Sequence, residues 1–113
     1  MAPENPTFGQ ENAMLRHVVL FQWKPETPPE VITEIEETLC SLTGKIPEIA
    51  EFEWGTDVSV QGLSRGFTHC LVVSFRSEAD RDVYLPHPDH KAFIAMSAPH
   101  RENLLTFDYW VKN

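Results

Sequence analysis

The sequence of 113 residues predicts one α+β domain with the element order β-α-β-β-α-β. Three observations support this prediction. The length suits a single hydrophobic core, four segments are rich in β-branched and aromatic residues, and two segments carry helix start signals. This order is the split pattern of a ferredoxin-like fold, in which a four-stranded antiparallel sheet carries both helices on one face.

The first strand follows a segment without hydrophobic periodicity. Residues 1–13 hold Pro, Asn, Glu and Gly, which predicts a flexible N-terminal arm and places the folded domain over residues 14–113. Residues 15–24 read LRHVVLFQWK, a run of β-branched and aromatic side chains that ends before a proline and therefore predicts a strand.

The next segment predicts a helix whose start and end are both marked. Thr27, Pro28 and Glu30 match a capping box, with Thr27 as the N-cap and Pro28 in the first turn. Apolar residues then recur at helical spacing, and Gly44 is expected to end the helix in the left-handed conformation. The remaining predicted elements are strands over 52–60 and 66–76, a helix capped by Ser77, a short helical piece from His87 to Met96, and a strand over 104–111.

The predicted sheet is apolar on both faces. In the third strand Leu71 and Val73 alternate with Val72, and in the last strand Leu105 alternates with Leu104. Helices can cover only one of these faces, so the other needs a second cover. A second copy of the chain, packed sheet to sheet about a two-fold axis, is the simplest one. The sequence therefore predicts a homodimeric α/β barrel.

The charge and the cysteine content indicate which classes of partner and which cellular compartment the protein is expected to have. The net charge is −8, with 17 Asp and Glu against 9 Lys and Arg, which disfavours nucleic acid and anionic membrane surfaces as partners. No apolar run approaches the length of a membrane span. The two cysteines follow no metal or disulfide spacing, so we expect buried free thiols in a cytoplasmic protein.

Two histidines begin the two central strands. His17 and His69 fall on the face that carries the larger apolar residues, which we expect to face the helices. If these strands run parallel as neighbours, the two imidazoles meet at one end of the sheet. Buried imidazoles of this kind are either hydrogen-bonded core residues or members of a site.

The segment YLPHPDH adds a second pair of polar groups. Its two prolines break the helix and can open a gap between Tyr84 and His90. A phenol can donate to a carbonyl oxygen while a neutral imidazole accepts a proton, so these residues are candidates for acid–base catalysis. His87, before the second proline, is expected to cap the following helix. Asp89 stands next to His90, and its carboxylate would favour the charged imidazole.

A metal site is the alternative use of these histidines. His17, His69 and His90 could form a three-histidine site, but no HExxH motif or paired carboxylate accompanies them. No phosphate-binding glycine loop or dinucleotide fingerprint occurs either. The sequence therefore predicts neither a metal nor a cofactor.

Four segments in order, RHVVLFQWK, GFTHCLVVSF, YLPHPDH and LLTFDYWV, resemble the stress-responsive dimeric A/B barrel (Dabb) family. This resemblance covers residues 15–112 and implies a ferredoxin-like fold and a back-to-back dimer. One plant member is a metal-independent polyketide cyclase that catalyses an aldol condensation. By that resemblance His90 would be the general base and Tyr84 would hold the carbonyl, while His17 and His69 would contact the substrate. Some plant members bind magnesium through the first helix, near Val31 and Glu34 here.

Two functions are compatible with these features. The first is a cyclase-like enzyme with a small, mostly apolar pocket that takes a hydrophobic or keto-acid ligand. The second is a non-catalytic stress-responsive or ligand-binding dimer in which the histidines are structural. The first predicts an open cavity beside Tyr84 and His90, and the second predicts protein partners for both side chains and no sizeable cavity.

Overall fold

The computed structural model describes residues 13–112 and confirms the predicted ferredoxin-like order. The four strands form one antiparallel sheet in the order β2-β3-β1-β4. The elements are β1 (Leu15–Trp23), α1 (Pro29–Ser41), β2 (Glu51–Thr56), β3 (His69–Phe75), α2 (Glu78–Tyr84), α3 (Pro88–Ser97) and β4 (Arg101–Trp110). The predicted arm, apart from Ala13, lies outside the described residues. Within residues 13–112, no helix has both the length and the apolar content needed to cross a membrane.

The core lies between the helices and one face of the sheet. Every second residue of β1 from Leu15 to Phe21 is buried, and Leu71, Val73 and Phe75 continue the same face on β3. The α1 residues Ile35 and Leu39 pack onto it. The period-two alternation in the sequence therefore identifies the helix face correctly.

The opposite face of the sheet is apolar and open in the single chain. On β4, Leu105, Phe107 and Tyr109 are 47%, 62% and 41% exposed. Leu20, Leu63 and Leu105 line a hollow of about 480 Å³ on this side of the sheet. Contiguous exposed apolar surface of this kind is typical of a site covered by another molecule.

The start of α1 differs from the predicted capping box. Pro28, not Thr27, is the N-cap, with φ −64° and ψ 146°, and no side chain caps the helix. A residue before a proline is forced toward the extended region, so Pro29 keeps Pro28 out of the first turn. The predicted role of Gly44 is also wrong. A 3₁₀ turn over Leu42–Gly44 satisfies the last carbonyls, and Gly44 does not adopt a positive φ.

The predicted parallel pairing of the central strands is wrong. β1 and β3 are antiparallel, so His17 pairs with Val73, whereas His69 pairs with Phe21. The physical reason is connectivity. The crossover through α1 makes β2 run in the direction of β1, and β3 returns antiparallel to β2. The two histidines are therefore separated by four residues along the strand, about 13 Å at about 3.3 Å per residue.

The loop before β3 and the burial of the two cysteines also depart from prediction. β3 begins at His69 rather than Gly66 because Arg65 and Gly66 have φ values of 59° and 87°. A Cβ at position 66 would lie 2.6 Å from Gln22 Nε2 and would displace that side chain, and the φ of 87° strains any residue other than glycine there. Both cysteines are free, but neither is buried as predicted, because Cys40 is exposed and Cys70 is only half-buried.

Candidate active site

An open cavity of about 370 Å³ lies between the helix face of the sheet and the α2–α3 segment. Its walls are largely apolar and include Val19, Phe21 and Phe93. This volume falls within the range of small-molecule sites. The polar side chains that line it are His17, Tyr84, His90, Arg101, Thr106 and Asp108.

The break between α2 and α3 places His90 on the cavity wall. In a continuous helix the Leu85 carbonyl would accept from the Asp89 N–H. Pro88 starts a new helix instead, and His87 Nδ1 accepts the Asp89 N–H at 3.1 Å, as the predicted cap requires. The Leu85 carbonyl is left without a helical partner, and His90 Nδ1 donates to it at 2.9 Å.

This hydrogen bond determines which nitrogen of His90 can act as a base. A carbonyl oxygen only accepts, so Nδ1 carries the proton and the lone pair of the neutral ring lies on Nε2. In the part of the chain that the structure describes, Nε2 makes no hydrogen bond and is not sealed from the cavity. The geometry therefore leaves a proton-accepting nitrogen free for a ligand.

The surroundings of His90 keep its imidazole neutral. Burial lowers the pKa of His90, the Leu85 carbonyl opposes that effect, and the nearby His17, Arg101 and His87 lower the pKa further. Asp89 does not act as expected. Its carboxylate lies 3.8 Å from His87 Nδ1 and is directed to the cap rather than to the pocket.

Tyr84 is a proton donor beside this base. Its ring is 1% exposed and lies 4.2 Å from the His90 ring, with Phe75 packed at 5.2 Å on another side. Burial raises the pKa of the Tyr84 phenol, so the hydroxyl stays protonated. Among residues 13–112 no partner binds this hydroxyl. An acid and a base therefore stand side by side on one wall.

A carboxylate that the sequence analysis missed joins His17 to the pocket. Asp108 Oδ1 accepts from His17 Nδ1 at 2.6 Å, and its other oxygen accepts from Arg81 at 3.3 Å. His17 lies 6.1 Å from Tyr84, measured between ring centroids. The signal was present in the sequence, because Asp108 is the one acidic residue within the apolar run LLTFDYWV. Alternation places it on the helix face, opposite His17.

His69 belongs to a different cluster. Its Nδ1 accepts from Trp23 Nε1 at 3.2 Å, and its Nε2 donates to Glu36 at 2.8 Å. The ring also stacks on Trp54, with an interplanar angle of 3°. The structure thus brings together three of the four predicted site residues, and His69, with both nitrogens occupied, is not one of them.

The three-histidine metal alternative fails on the same geometry. His69 does not reach His17 and His90, so the three imidazoles share no centre. Within the described range 13–112, no group of three His, Cys, Asp or Glu side chains is placed to hold a metal ion. A metal-free site stays a prediction.

Replacing His69 by alanine should lower stability. The change leaves Trp23 Nε1 and the Glu36 carboxylate without their partner, which costs about 1–3 kcal/mol of unfolding free energy. Urea unfolding measures this loss, and the exposed Glu37→Ala is the control, with an expected change within about 0.5 kcal/mol. Unchanged stability together with lost ligand binding would contradict the structural role and support a substrate contact.

The fold and this wall define an α+β protein of the ferredoxin-like class with a candidate acid–base pocket. The chain belongs to the stress-responsive A/B barrel domain family, whose model matches residues 15–111. Two curated relatives are similar over 84% of the chain. The stress-response A/B barrel domain-containing protein HS1 of Arabidopsis thaliana is 32% identical with 87% of its length covered, and olivetolic acid cyclase of Cannabis sativa is 30% identical with 94% covered.

Solved structures share the fold. The hydroxynitrile lyase of Passiflora edulis superposes with a TM-score of 0.82 at 28% identity, covering 88% of this chain and 94% of the lyase. A protein of Thermobifida fusca, described as dimeric, ferredoxin-like and of unknown function, gives a TM-score of 0.75 at 27% identity, covering 88% and 92%.

Proposed function

We propose that this chain is a small-molecule enzyme of the lyase or cyclase type that moves a proton next to a carbonyl group. The observation that carries the proposal is the free Nε2 of a neutral His90 beside the protonated Tyr84 hydroxyl on the wall of an open cavity. The cavity and the unpartnered hydroxyl favour this function over the alternative in which the histidines are structural.

The residues divide the reaction between them. His90 Nε2 takes a proton from the carbon beside a carbonyl, the C–H electron pair moves to form an enolate, and the negative charge develops on the carbonyl oxygen. The Tyr84 O–H donates to that oxygen and stabilises the charge. His17 gives its Nδ1–H to Asp108, so its neutral ring presents the Nε2 lone pair and can accept a hydrogen bond from a ligand hydroxyl on the same wall. The bond that then forms or breaks depends on the substrate.

Two relatives support this class of chemistry. An olivetolic acid cyclase and a hydroxynitrile lyase have, by their names, different products, and they are 30% and 28% identical to this chain. One fold can support different chemistries, and we propose that the acid–base wall of this chain serves a reaction of this general class.

We propose that the working unit is a homodimer. The open face of the sheet carries Leu105, Phe107 and Tyr109, which a second copy would cover. Several solved structures of this fold are described as dimeric, which supports the same arrangement here.

Proton exchange tests the proposed activity. The protein is incubated in D₂O with a panel of ketones, keto carboxylates and hydroxynitriles, and loss of the carbon-bound proton or release of the carbonyl product is followed by ¹H NMR. We expect turnover above the uncatalysed rate for at least one compound class. Binding of panel compounds without any exchange or cleavage would support the non-catalytic alternative instead.

The rate should fall in acid with a midpoint below pH 6.5. The reaction needs neutral His90, and burial lowers the pKa of that group below its ordinary value of 6.5. The rate is therefore expected to be level at pH values well above that pKa and to fall as His90 becomes protonated. The free energy of unfolding should also fall in acid. A histidine whose pKa is lowered by folding contributes stability above pH 6.5, and this contribution is lost as the pH falls through the folded-state pKa. A midpoint at or above 6.5 would contradict the assignment.

A further inference from the structure

We propose that the ligand of this cavity carries a carboxylate and that Arg101 binds it. Arg101 opens β4 and lines the cavity together with Tyr84 and His90. That the other end of the ligand carries a reacting carbonyl group rests on the proposed function, whereas the binding of the carboxylate by Arg101 does not. The substrate is then a small carbonyl compound with an apolar body and a carboxylate.

The guanidinium is held in a fixed position. Its Nη2 donates to Ser97 Oγ at 2.8 Å, and Ser97 is fully buried and itself donates to the Phe93 carbonyl at 2.9 Å. The charged group lies over the Phe21 ring, 5.5 Å from its centroid. A cation held on both sides loses little conformational freedom when an anion binds, which favours tight binding.

Arg101 also lacks the partner that its surroundings require. Its Nε is buried and has no hydrogen-bond acceptor, and no carboxylate of residues 13–112 lies within 4.0 Å of the group. By contrast, Arg16 and Arg81 both have acidic partners. Among the same residues, Arg65 and Arg76 also lack an acidic partner, but both are exposed to water, whereas Arg101 is half-buried. Burial disfavours its charge and lowers the pKa of the guanidinium, although the group stays charged at neutral pH.

A carboxylate in the cavity can supply the acidic partner that Arg101 lacks by accepting from Nη1 and Nη2, whereas the sealed Nε stays out of its reach. The planar guanidinium presents paired N–H donors that match the two oxygens of a carboxylate, and such bonds are stronger than those between neutral groups. The nearest acid on the cavity wall, Asp108, is engaged by His17 and Arg81. The mostly apolar remainder of the 370 Å³ cavity fits the body of the ligand.

A matched pair of ligands tests this assignment without any turnover. The probes are 4-oxo-4-phenylbutanoate and its amide, and their Kd values are measured by calorimetry with the full chain. For the wild type we expect the carboxylate to bind about 10–100-fold more tightly than the amide, the range of a charge-assisted hydrogen bond. Arg101→Gln should remove this preference and leave the amide affinity within about twofold, whereas Arg101→Lys should keep part of it.

The control and the contrary outcomes separate this inference from the proposed function. Arg76→Gln removes the same charge from an exposed position and should leave the preference intact. Equal binding of acid and amide by the wild type, no binding of the acid, or equal weakening of both probes in Arg101→Gln would overturn the inference. If the protein prefers the carboxylate probe but catalyses no proton exchange, only the proposed activity is wrong. If it catalyses His90-dependent proton exchange equally well with and without a carboxylate on the substrate, only the role of Arg101 is wrong.

Discussion

Replacing His90 by asparagine should lower the rate of proton exchange by about 10²–10⁴-fold, the contribution of a positioned general base. Asparagine can still donate to the Leu85 carbonyl, so the helix start and the loop keep their hydrogen bond. The Nε2 lone pair is lost, and with it about 3–5 kcal/mol of transition-state stabilisation at about 1.4 kcal/mol per tenfold. Initial rates at pH 7.5, where the wild-type His90 is neutral, measure the effect.

The control for this variant is His87→Ser. Serine is a favoured N-cap and can accept the Asp89 N–H in place of the imidazole, so α3 should start at the same residue. His87 lies outside the cavity wall, and we expect a rate within about twofold of the wild type. A His90→Asn protein that is folded and as active as the wild type would refute the assignment of the base.

Replacing Leu105 by glutamate should convert the dimer into a monomer. Leu105 lies on the open sheet face and is 47% exposed in the single chain. Stable interfaces bury about 1,200–2,000 Å², and a carboxylate placed inside such an apolar interface is strongly unfavourable because it has no partner there. Sedimentation equilibrium should give twice 12.9 kDa for the wild type and 12.9 kDa for the variant.

The matched control places glutamate on another exposed apolar residue. Val83 on α2 is 45% exposed and does not belong to the sheet, so Val83→Glu should remain dimeric. A monomeric wild type, or a Leu105→Glu protein that stays dimeric, would contradict the proposed packing through the sheet. If both variants dissociate equally, the added charge weakens the dimer wherever it is placed, and the sheet face is not specifically involved.

Local sequence signals predicted the elements that position the base. The two prolines around His87 predict both the break between α2 and α3 and the N-cap of α3. In the structure the Asp89 N–H donates to His87 as expected. Alternation likewise placed His17 on the helix face. Such features depend on neighbours in sequence, so the pattern alone is enough to predict them.

Features that depend on chain direction or on side-chain reach could not be predicted in this way. The spacing of His17 and His69 says nothing about whether their strands run parallel, and the antiparallel pairing sends His69 to Glu36. The sequence likewise did not indicate that the Arg101 guanidinium has no acidic partner among residues 13–112. Arg101 lies at the end of a 3₁₀ turn before β4, where the alternation of a strand does not predict which way a side chain faces. Its position over Phe21 is seen only in the folded chain.

The most direct test of the account is the protonation state of His90, read by long-range ¹H–¹⁵N NMR of the imidazole ring across a pH titration. Asparagine substitution of each histidine in turn assigns the signals. We expect the Nδ1–H form of a neutral ring at pH 7 and a pKa below 6.5, as its burial and the Leu85 carbonyl require. A ring that is charged at pH 7, or that carries its proton on Nε2, would contradict the central claim that His90 offers a free basic nitrogen to the cavity.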